Sequence, residues 1–182
     1  KILGINCMNH DASMSVVDGR EILWAAHSER YSKVKNDHYL NWAIVNEAMT
    51  YGPFDKVVYY ERPWLKKTRQ FYAGQYGTAL SYTEMPQWHL DHFGIKIDQY
   101  VKHHDSHAAA GYFTSPFKEE GATILTVDAI GEWETVSIST ADKVWIDRKE
   151  TINYPHSVRT ETRGRGIHPD GHGRIWHAQI QR

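Results

Sequence analysis

The fold of this chain is decided by the stretch Lys102-His103-His104-Asp105-Ser106-His107-Ala108-Ala109-Ala110-Gly111-Tyr112-Phe113. If a helix begins here, His103 and His107 lie four residues apart on one face, with Cβ atoms about 5–6 Å apart. Two imidazoles placed in this way can bind one divalent ion when a carboxylate joins them. Hydrogen-bonded histidines of a surface or a core show the same spacing, so the pattern leaves both interpretations open.

A strand and a carboxylate follow the histidines. Residues 122–127 are mostly apolar and predict a short strand, with Asp128 directly after it and Gly131-Glu132-Trp133 just beyond. A strand end holds a ligand rigidly, and a glycine-bearing turn leaves backbone N–H groups for an anion. Asp128 would serve equally well as a turn residue that caps the strand. We predict that His103, His107 and Asp128 together form a metal site.

Composition excludes several classes of protein. The chain has 182 residues and a formal net charge of −1. A charge so near zero gives no field to steer a polyanion, so we expect no nucleic-acid partner. Its single cysteine, Cys7, cannot form an intramolecular disulfide, which fits a reducing, cytoplasmic compartment. No apolar run approaches the ~20 residues that a bilayer requires, and no signal peptide is visible, so we expect no membrane partner.

The pattern along the chain alternates strands and helices, which predicts an α/β fold. Strands are predicted at residues 1–7, 12–17, 21–26, 56–61, 99–101, 122–127, 135–139, 143–146 and 150–152, and helices at 41–49, 85–93 and 108–113. Asn9-His10-Asp11 is a polar loop between the first two strands, and residues 28–37 are a charged loop. Residues 62–82 mix basic and aromatic side chains, as some nucleic-acid sites do. We favour an amphipathic loop and helix packed on the sheet.

Several motifs in order give the chain a family resemblance. They are Gly4-Ile5-Asn6, His10-Asp11-Ala12-Ser13, Glu29-Arg30-Tyr31-Ser32-Lys33-x-Lys35-x-Asp37, His103-His104-x-x-His107-Ala108-Ala109, Ser115-Pro116-Phe117, Leu125-Thr126-Val127-Asp128-x-x-Gly131-Glu132-Trp133 and Tyr154-Pro155-His156-Ser157. With them the chain resembles the O-carbamoyltransferases of the NodU/CmcH type, from its start to about Ser157.

The resemblance implies a fold and a reaction. The fold would be the N-terminal portion of an actin-like ATPase, which repeats a ribonuclease H-like unit and clamps a nucleotide between the two copies. In such enzymes a YrdC-like domain makes carbamoyl-adenylate from carbamoyl phosphate and ATP. The actin-like domain then passes the carbamoyl group to the hydroxyl of a small-molecule acceptor beside a metal, typically iron. The YrdC-like domain and the later half of the nucleotide clamp have no counterpart in this sequence, so we expect the chain alone to be inactive.

The resemblance also assigns roles to residues. His10 would be a general base or a substrate contact, a role that suits an imidazole because its unperturbed pKa is about 6.5. Lys35 would face the carbamoyl donor or the acceptor, where an ammonium can neutralise phosphate charge. Four further residues are expected to bind the nucleotide: Asp11, Gly131, Glu132 and Thr135. Ala129 stands where the family usually has glycine, and its Cβ would hinder a close approach of the backbone to phosphate.

The last part of the chain has a different character. Residues 1–157 are expected to form the carbamoyltransferase-like domain, and residues 158–182 lack helical or strand periodicity and predict a divergent or disordered tail. His168, His172 and His177 in that tail could bind metal adventitiously. Two other functions stay open for the whole chain. One is a nonenzymatic metal- or nucleotide-binding module of the actin-like superfamily. The other is a sugar-kinase-like or chaperone-like ATPase, against which the histidine pair argues.

Overall fold

The computed structural model describes residues 1–118, 120–142 and 145–153. Its fold is mixed α/β. The chain folds into two compact units, Lys1–Lys102 and His103–Arg182. Tyr154-Pro155-His156-Ser157 and the predicted tail at 158–182, with its three histidines, lie outside the described residues.

The first unit is built on a five-stranded sheet. Its strands are β1 (Ile2–Asn6), β2 (Ser13–Asp18), β3 (Glu21–His27), β4 (Lys56–Tyr59) and β5 (Gln99–Tyr100), in the order β3-β2-β1-β4-β5. The strands β1, β2 and β3 pair antiparallel, whereas β1, β4 and β5 run parallel. The carboxyl ends of three neighbouring strands therefore lie at one edge of this sheet.

Alternation along β1 and β2 separates the two faces of the sheet. Leu3 and Ile5 of β1 and Met14 and Val16 of β2 are buried in the core, and their neighbours along each strand point to the other face. Helix α2 (Trp42–Met49) contributes residues to the same core cluster. It begins after Asn41, whose side chain accepts hydrogen bonds from the backbone N–H groups of Ala43 and Ile44 and so caps the helix.

The remaining helices of the first unit are short. They are α1 (Glu29–Ser32), α3 (Pro63–Tyr72), α4 (Tyr76–Leu80) and α5 (Pro86–Asp91), with a 3₁₀ turn at Tyr82–Glu84. The region 28–37, which the sequence predicted as a loop, begins with α1, which ends at Lys33 in the left-handed conformation. The predicted helix and loop at 62–82 are present as α3 and α4, where the Lys67 ammonium donates to the carbonyls of Thr78 and Ser81.

The second unit is one helix and a three-stranded antiparallel sheet. Helix α6 (His103–Phe113) is followed by β6 (Gly121–Gly131), β7 (Glu134–Asp142) and β8 (Trp145–Asn153), in the order β6-β7-β8. Its core contains Ala108 and Tyr112 of the helix and Ile124 and Ala141 of the sheet. Where the sequence predicted two short strands at 143–146 and 150–152, the described residues form the single strand β8, and its pairing with β7 shifts register between Ile138 and Ser139. In the part of the chain described, no helix combines the length and apolar character that a bilayer span requires.

His89 of α5 supports the loop before α2 through an uncharged ring. The backbone N–H of Leu40 donates to His89 Nε2 at 3.2 Å, which requires that nitrogen to carry a lone pair. Burial and the nearby His92 lower the pKa of His89, although Asp37 opposes the change.

We therefore expect acid to weaken the first unit through His89. Because the pKa of His89 is lower in the folded chain, its stabilisation is complete above the unfolded pKa of about 6.5 and is lost as the pH falls below it. The variant His89→Gln keeps an acceptor for the Leu40 N–H and does not titrate. Urea unfolding at pH 7 and pH 5 should show a smaller loss of unfolding free energy in the variant. An equal loss in both proteins would contradict the prediction.

Candidate metal centre and neighbouring loop

The predicted metal residues lie together in the second unit. Helix α6 begins at His103, so His103 and His107 share one face of its first turns. The two Nε2 atoms are 3.0 Å apart, and Asp128 Oδ2 of β6 lies 2.9 Å from His103 Nε2. One ligand atom from each of the three residues lies within 4.8 Å of the other two. Ligands at about 2.1 Å from one ion are separated by roughly 3.0–3.4 Å, so only small side-chain shifts are needed to bind one.

The electrostatics of this cluster favour metal ligation. Burial lowers the pKa of His107, and the neighbouring His103 lowers it further, against the opposing effect of Asp128. Burial alone would raise the pKa of Asp128. The hydrogen bond from His103, the charges of His103 and His107 and the backbone N–H of Ala129 outweigh it and bring the pKa to about 2. A neutral imidazole and an ionised carboxylate are the forms that bind metals. Two histidines and one carboxylate are also the donor set of iron sites that keep coordination positions open for substrate.

The position of Asp128 differs from the expected one. Regular pairing of β6 with β7 stops at Val127 and resumes at Gly131, so Asp128 lies in an irregular part of a longer strand and not beyond its end. A bulge of this kind re-aims a side chain out of the regular alternation. Gly131 and Glu132, which the sequence predicted to lie together in a turn, also differ from that expectation. Gly131 still pairs with Glu134, and the left-handed backbone falls on Glu132, at φ 57°.

Gly131 is required by the closeness of the histidines. A Cβ at this position would lie 2.5 Å from Cδ2 of His103 and 2.9 Å from Cδ2 of His104. His104 itself, for which the sequence alone indicates no role, is fully buried, with its Nδ1 2.9 Å from Ser137 Oγ and 3.7 Å from Glu134 Oε2. Thr135, a nucleotide candidate, is buried on the same face of β7 as Ser137.

The other predicted residues lie in the first unit, in the loop that follows β1. His10 Nδ1 is 2.8 Å from Asp11 Oδ2, and both side chains are partly exposed. Asp11 adopts a left-handed conformation at φ 57°. The side-chain amide of Asn6 donates to the backbone carbonyl of Asp11 at 3.1 Å. A carboxylate bonded to one nitrogen of an imidazole fixes the tautomer and orients the other nitrogen, which suits a general base.

Lys35 lies in a loop that is hydrogen-bonded to the His10 loop. The N–H groups of Met8 and Ala12 donate to the carbonyls of His38 and Asp37, at 2.8 and 2.7 Å. Lys35 itself is exposed, and its ammonium contacts no hydrogen-bond or ion-pair partner among the described residues. The two loops are therefore neighbours in the first unit.

Sequence reasoning missed a buried ion pair in the same unit. Glu61 lies two residues after the end of β4 and is 4% exposed, and Lys66 of α3 lies 2.9 Å from its Oε1. The available signal was a charged residue at the end of an apolar strand, followed five residues later by a residue of opposite charge.

Comparison with known proteins supports a carbamoyltransferase family. Residues 85–162 match the family model described as the carbamoyltransferase N-terminus. This segment contains His103, His107 and Asp128 but neither His10 nor Lys35. The chain is also 26% identical over 186 residues to an uncharacterized protein of Synechocystis sp.. That alignment covers 86% of this chain and 30% of the relative, so the chain spans about a third of the relative's length.

We expect Gly131→Ala to destabilise the second unit. The added methyl group would push against the His103 and His104 rings, and overpacking of this kind costs about 1–3 kcal/mol. Gly121→Ala is the matched control in the same strand, because its Cβ would meet only the Ala141 carbonyl at an ordinary 3.8 Å. Urea unfolding of both variants and the wild type tests the prediction, which fails if the two variants are equally stable.

Proposed function

We propose that this chain is the N-terminal part of the actin-like domain of a carbamoyltransferase of the NodU/CmcH type. The observation that carries the proposal is the convergence of His103, His107 and Asp128 within the segment that matches the carbamoyltransferase family. The mixed sheet of the first unit, with three antiparallel strands followed by two parallel ones, supports the actin-like fold.

The proposed reaction transfers a carbamoyl group from carbamoyl-adenylate to an acceptor hydroxyl. The acceptor oxygen attacks the carbamoyl carbon, a C–O bond to the acceptor forms, and the bond from that carbon to the phosphate oxygen breaks to release AMP. His10, oriented by Asp11, takes the hydroxyl proton. Lys35 in the neighbouring loop neutralises phosphate charge. Asp11, Gly131, Glu132 and Thr135 remain our proposal for nucleotide binding.

His103, His107 and Asp128 would hold the divalent ion, which we propose to be iron. When bound, such an ion acts as a Lewis acid that polarises the carbonyl group and offsets developing negative charge. The chain's own contribution is to lower the pKa of His107, which favours its neutral form, and to keep the Asp128 carboxylate ionised. The absence of a Cβ at Gly131 leaves room for the His103 ring, and the Ser137 hydroxyl holds the neighbouring His104 ring.

The metal site can be tested directly. We expect purified wild type to retain about one equivalent of a divalent ion, and His103→Ala and His107→Ala to lose most of it, because two of three ligands cannot hold the ion tightly. His92→Ala, at an exposed histidine of the first unit, is the control. Elemental analysis after dialysis measures the content. Equal metal content in all four proteins would contradict the prediction that His103, His107 and Asp128 bind the ion.

The transfer step has to be tested in a longer relative that contains the YrdC-like domain and the later half of the nucleotide clamp. In an active longer relative, changing the residue that matches His10 to alanine should reduce carbamoyl transfer by roughly 10²–10⁴-fold, the range for general acid–base help. The change that matches His27→Ala, on the exposed edge strand β3, should have little effect. The readout is AMP release from ATP together with carbamoylated acceptor. Release of ADP without carbamoylation would favour a kinase- or chaperone-like ATPase instead.

A further inference from the structure

The helices α3 and α4 of the first unit expose large apolar side chains to solvent. Within these two helices only Pro63 and Ala79 are buried. Five large side chains in and just after the helices are highly exposed: Phe71 at 51%, Tyr72 at 66%, Tyr76 at 55%, Leu80 at 74% and Tyr82 at 68%. Most of the stability of a short helix comes from packing of its apolar face, so a partner that covers these side chains would stabilise both helices.

The five side chains belong to one surface, which we call the aromatic surface. The rings of Phe71 and Tyr76 meet edge to face, with their centroids 5.0 Å apart, and so join the end of α3 to the start of α4. Tyr76 and Leu80 are four residues apart in α4 and share one face of that helix. The Lys67 ammonium of α3 donates to two backbone carbonyls near the end of α4, which holds the two helices together.

The aromatic surface is also free of charge. Residues 70–83 include no charged side chain, in a chain of which 24% of the residues are charged. Two nearby cations are already engaged, Lys66 with Glu61 and Lys67 with backbone carbonyls. The surface therefore lacks the cations that a nucleic acid or an anionic membrane would attract. Enrichment in aromatic residues with depletion of charge is typical of the centre of a protein–protein interface.

The area of the aromatic surface is sufficient for a weak dimer. An aromatic side chain contributes about 150–250 Å² when it is covered completely, so five side chains at these exposures present roughly 500–700 Å². Apolar patches larger than a few hundred Å² mark interaction sites. Two copies would together bury roughly 1,000–1,400 Å², which reaches the range of about 1,200–2,000 Å² for specific interfaces.

We propose that the aromatic surface is a self-association site through which two copies of this chain form a symmetric dimer. In a two-fold interface the same patch of both copies is buried, so a charged patch would repel itself and an uncharged one does not. Gly77 of α4 leaves room for the second copy, because a Cβ at this position would meet nothing within 4 Å. The dimer does not depend on the proposed carbamoyl transfer.

Sedimentation velocity over a wide range of protein concentration measures the association. We expect the average mass to rise from the 21.1 kDa of one chain towards twice that value. Interfaces of this size reach into the micromolar range, so we expect a Kd on the order of 10 µM. A wild-type protein that stays monomeric up to several hundred micromolar would overturn the proposal. If that monomer floats with phosphatidylcholine vesicles, the surface binds lipid instead.

A charge placed on the aromatic surface locates the interface. Leu80→Glu introduces two like charges into the symmetric dimer and should raise the Kd at least about tenfold. Its thermal midpoint as a monomer should change little, because the Leu80 side chain is 74% exposed. Val34→Glu is the matched control, since Val34 lies outside the surface and is 56% exposed. A Leu80→Glu protein that dimerises like wild type, or a Val34→Glu protein that is weakened equally, would contradict this interface.

A mixing experiment separates a lost interface from a damaged fold. Leu80→Lys should weaken the dimer as Leu80→Glu does, because it also places like charges on both copies. An equimolar mixture of the two variants should associate more tightly than either variant alone, since opposite charges then meet. A mixture that associates no better than its components would overturn symmetric pairing through this surface.

Discussion

Asp128 and Glu61 each place a carboxylate that has lost most of its water against a basic side chain. Asp128 lies against His103, and Glu61 lies against Lys66. A buried carboxylate without such a partner would be costly, so the local backbone has to bring the partner within hydrogen-bond distance. At Asp128 this takes an irregular stretch of β6 and a glycine that admits two imidazole rings. At Glu61 it takes a helix that begins at Pro63, two residues after the carboxylate.

The two pairs differ in what they can do. The His103 and His107 nitrogens and the Asp128 oxygen converge on one point, as ligands of a single ion do. The ammonium of Lys66 and the carboxylate of Glu61 lie 2.9 Å apart and form an ion pair within the first unit. The first arrangement suits chemistry at a bound group, and the second is a pair of charges that compensate each other. The family match covers the first arrangement, which is why the carbamoyltransferase proposal depends on the second unit.

Much of this arrangement is predictable from local sequence. The i, i+4 spacing of His103 and His107 predicts a shared helix face, and the alternation in β1 and β2 predicts strands with one buried face. The parts that local patterns do not predict depend on distant contacts. Asp128 joins the histidines only because β6 departs from its register. The need for glycine at position 131 is clear only once the position of the His103 ring is known. The pairing of Glu61 with Lys66 likewise depends on how α3 packs after β4, which no periodicity within residues 62–82 reveals.

The buried thiol of Cys7 has a practical consequence. Cys7 is fully buried on the core face after β1, and burial raises its pKa to about 12. A thiol that is neither ionised nor accessible does not react with maleimides or oxidants near neutral pH. Because it is the only cysteine of the chain, a second cysteine introduced at any exposed position would be the single reactive one. Fluorescent or spin labels could thus be attached at one chosen point without first replacing the native residue.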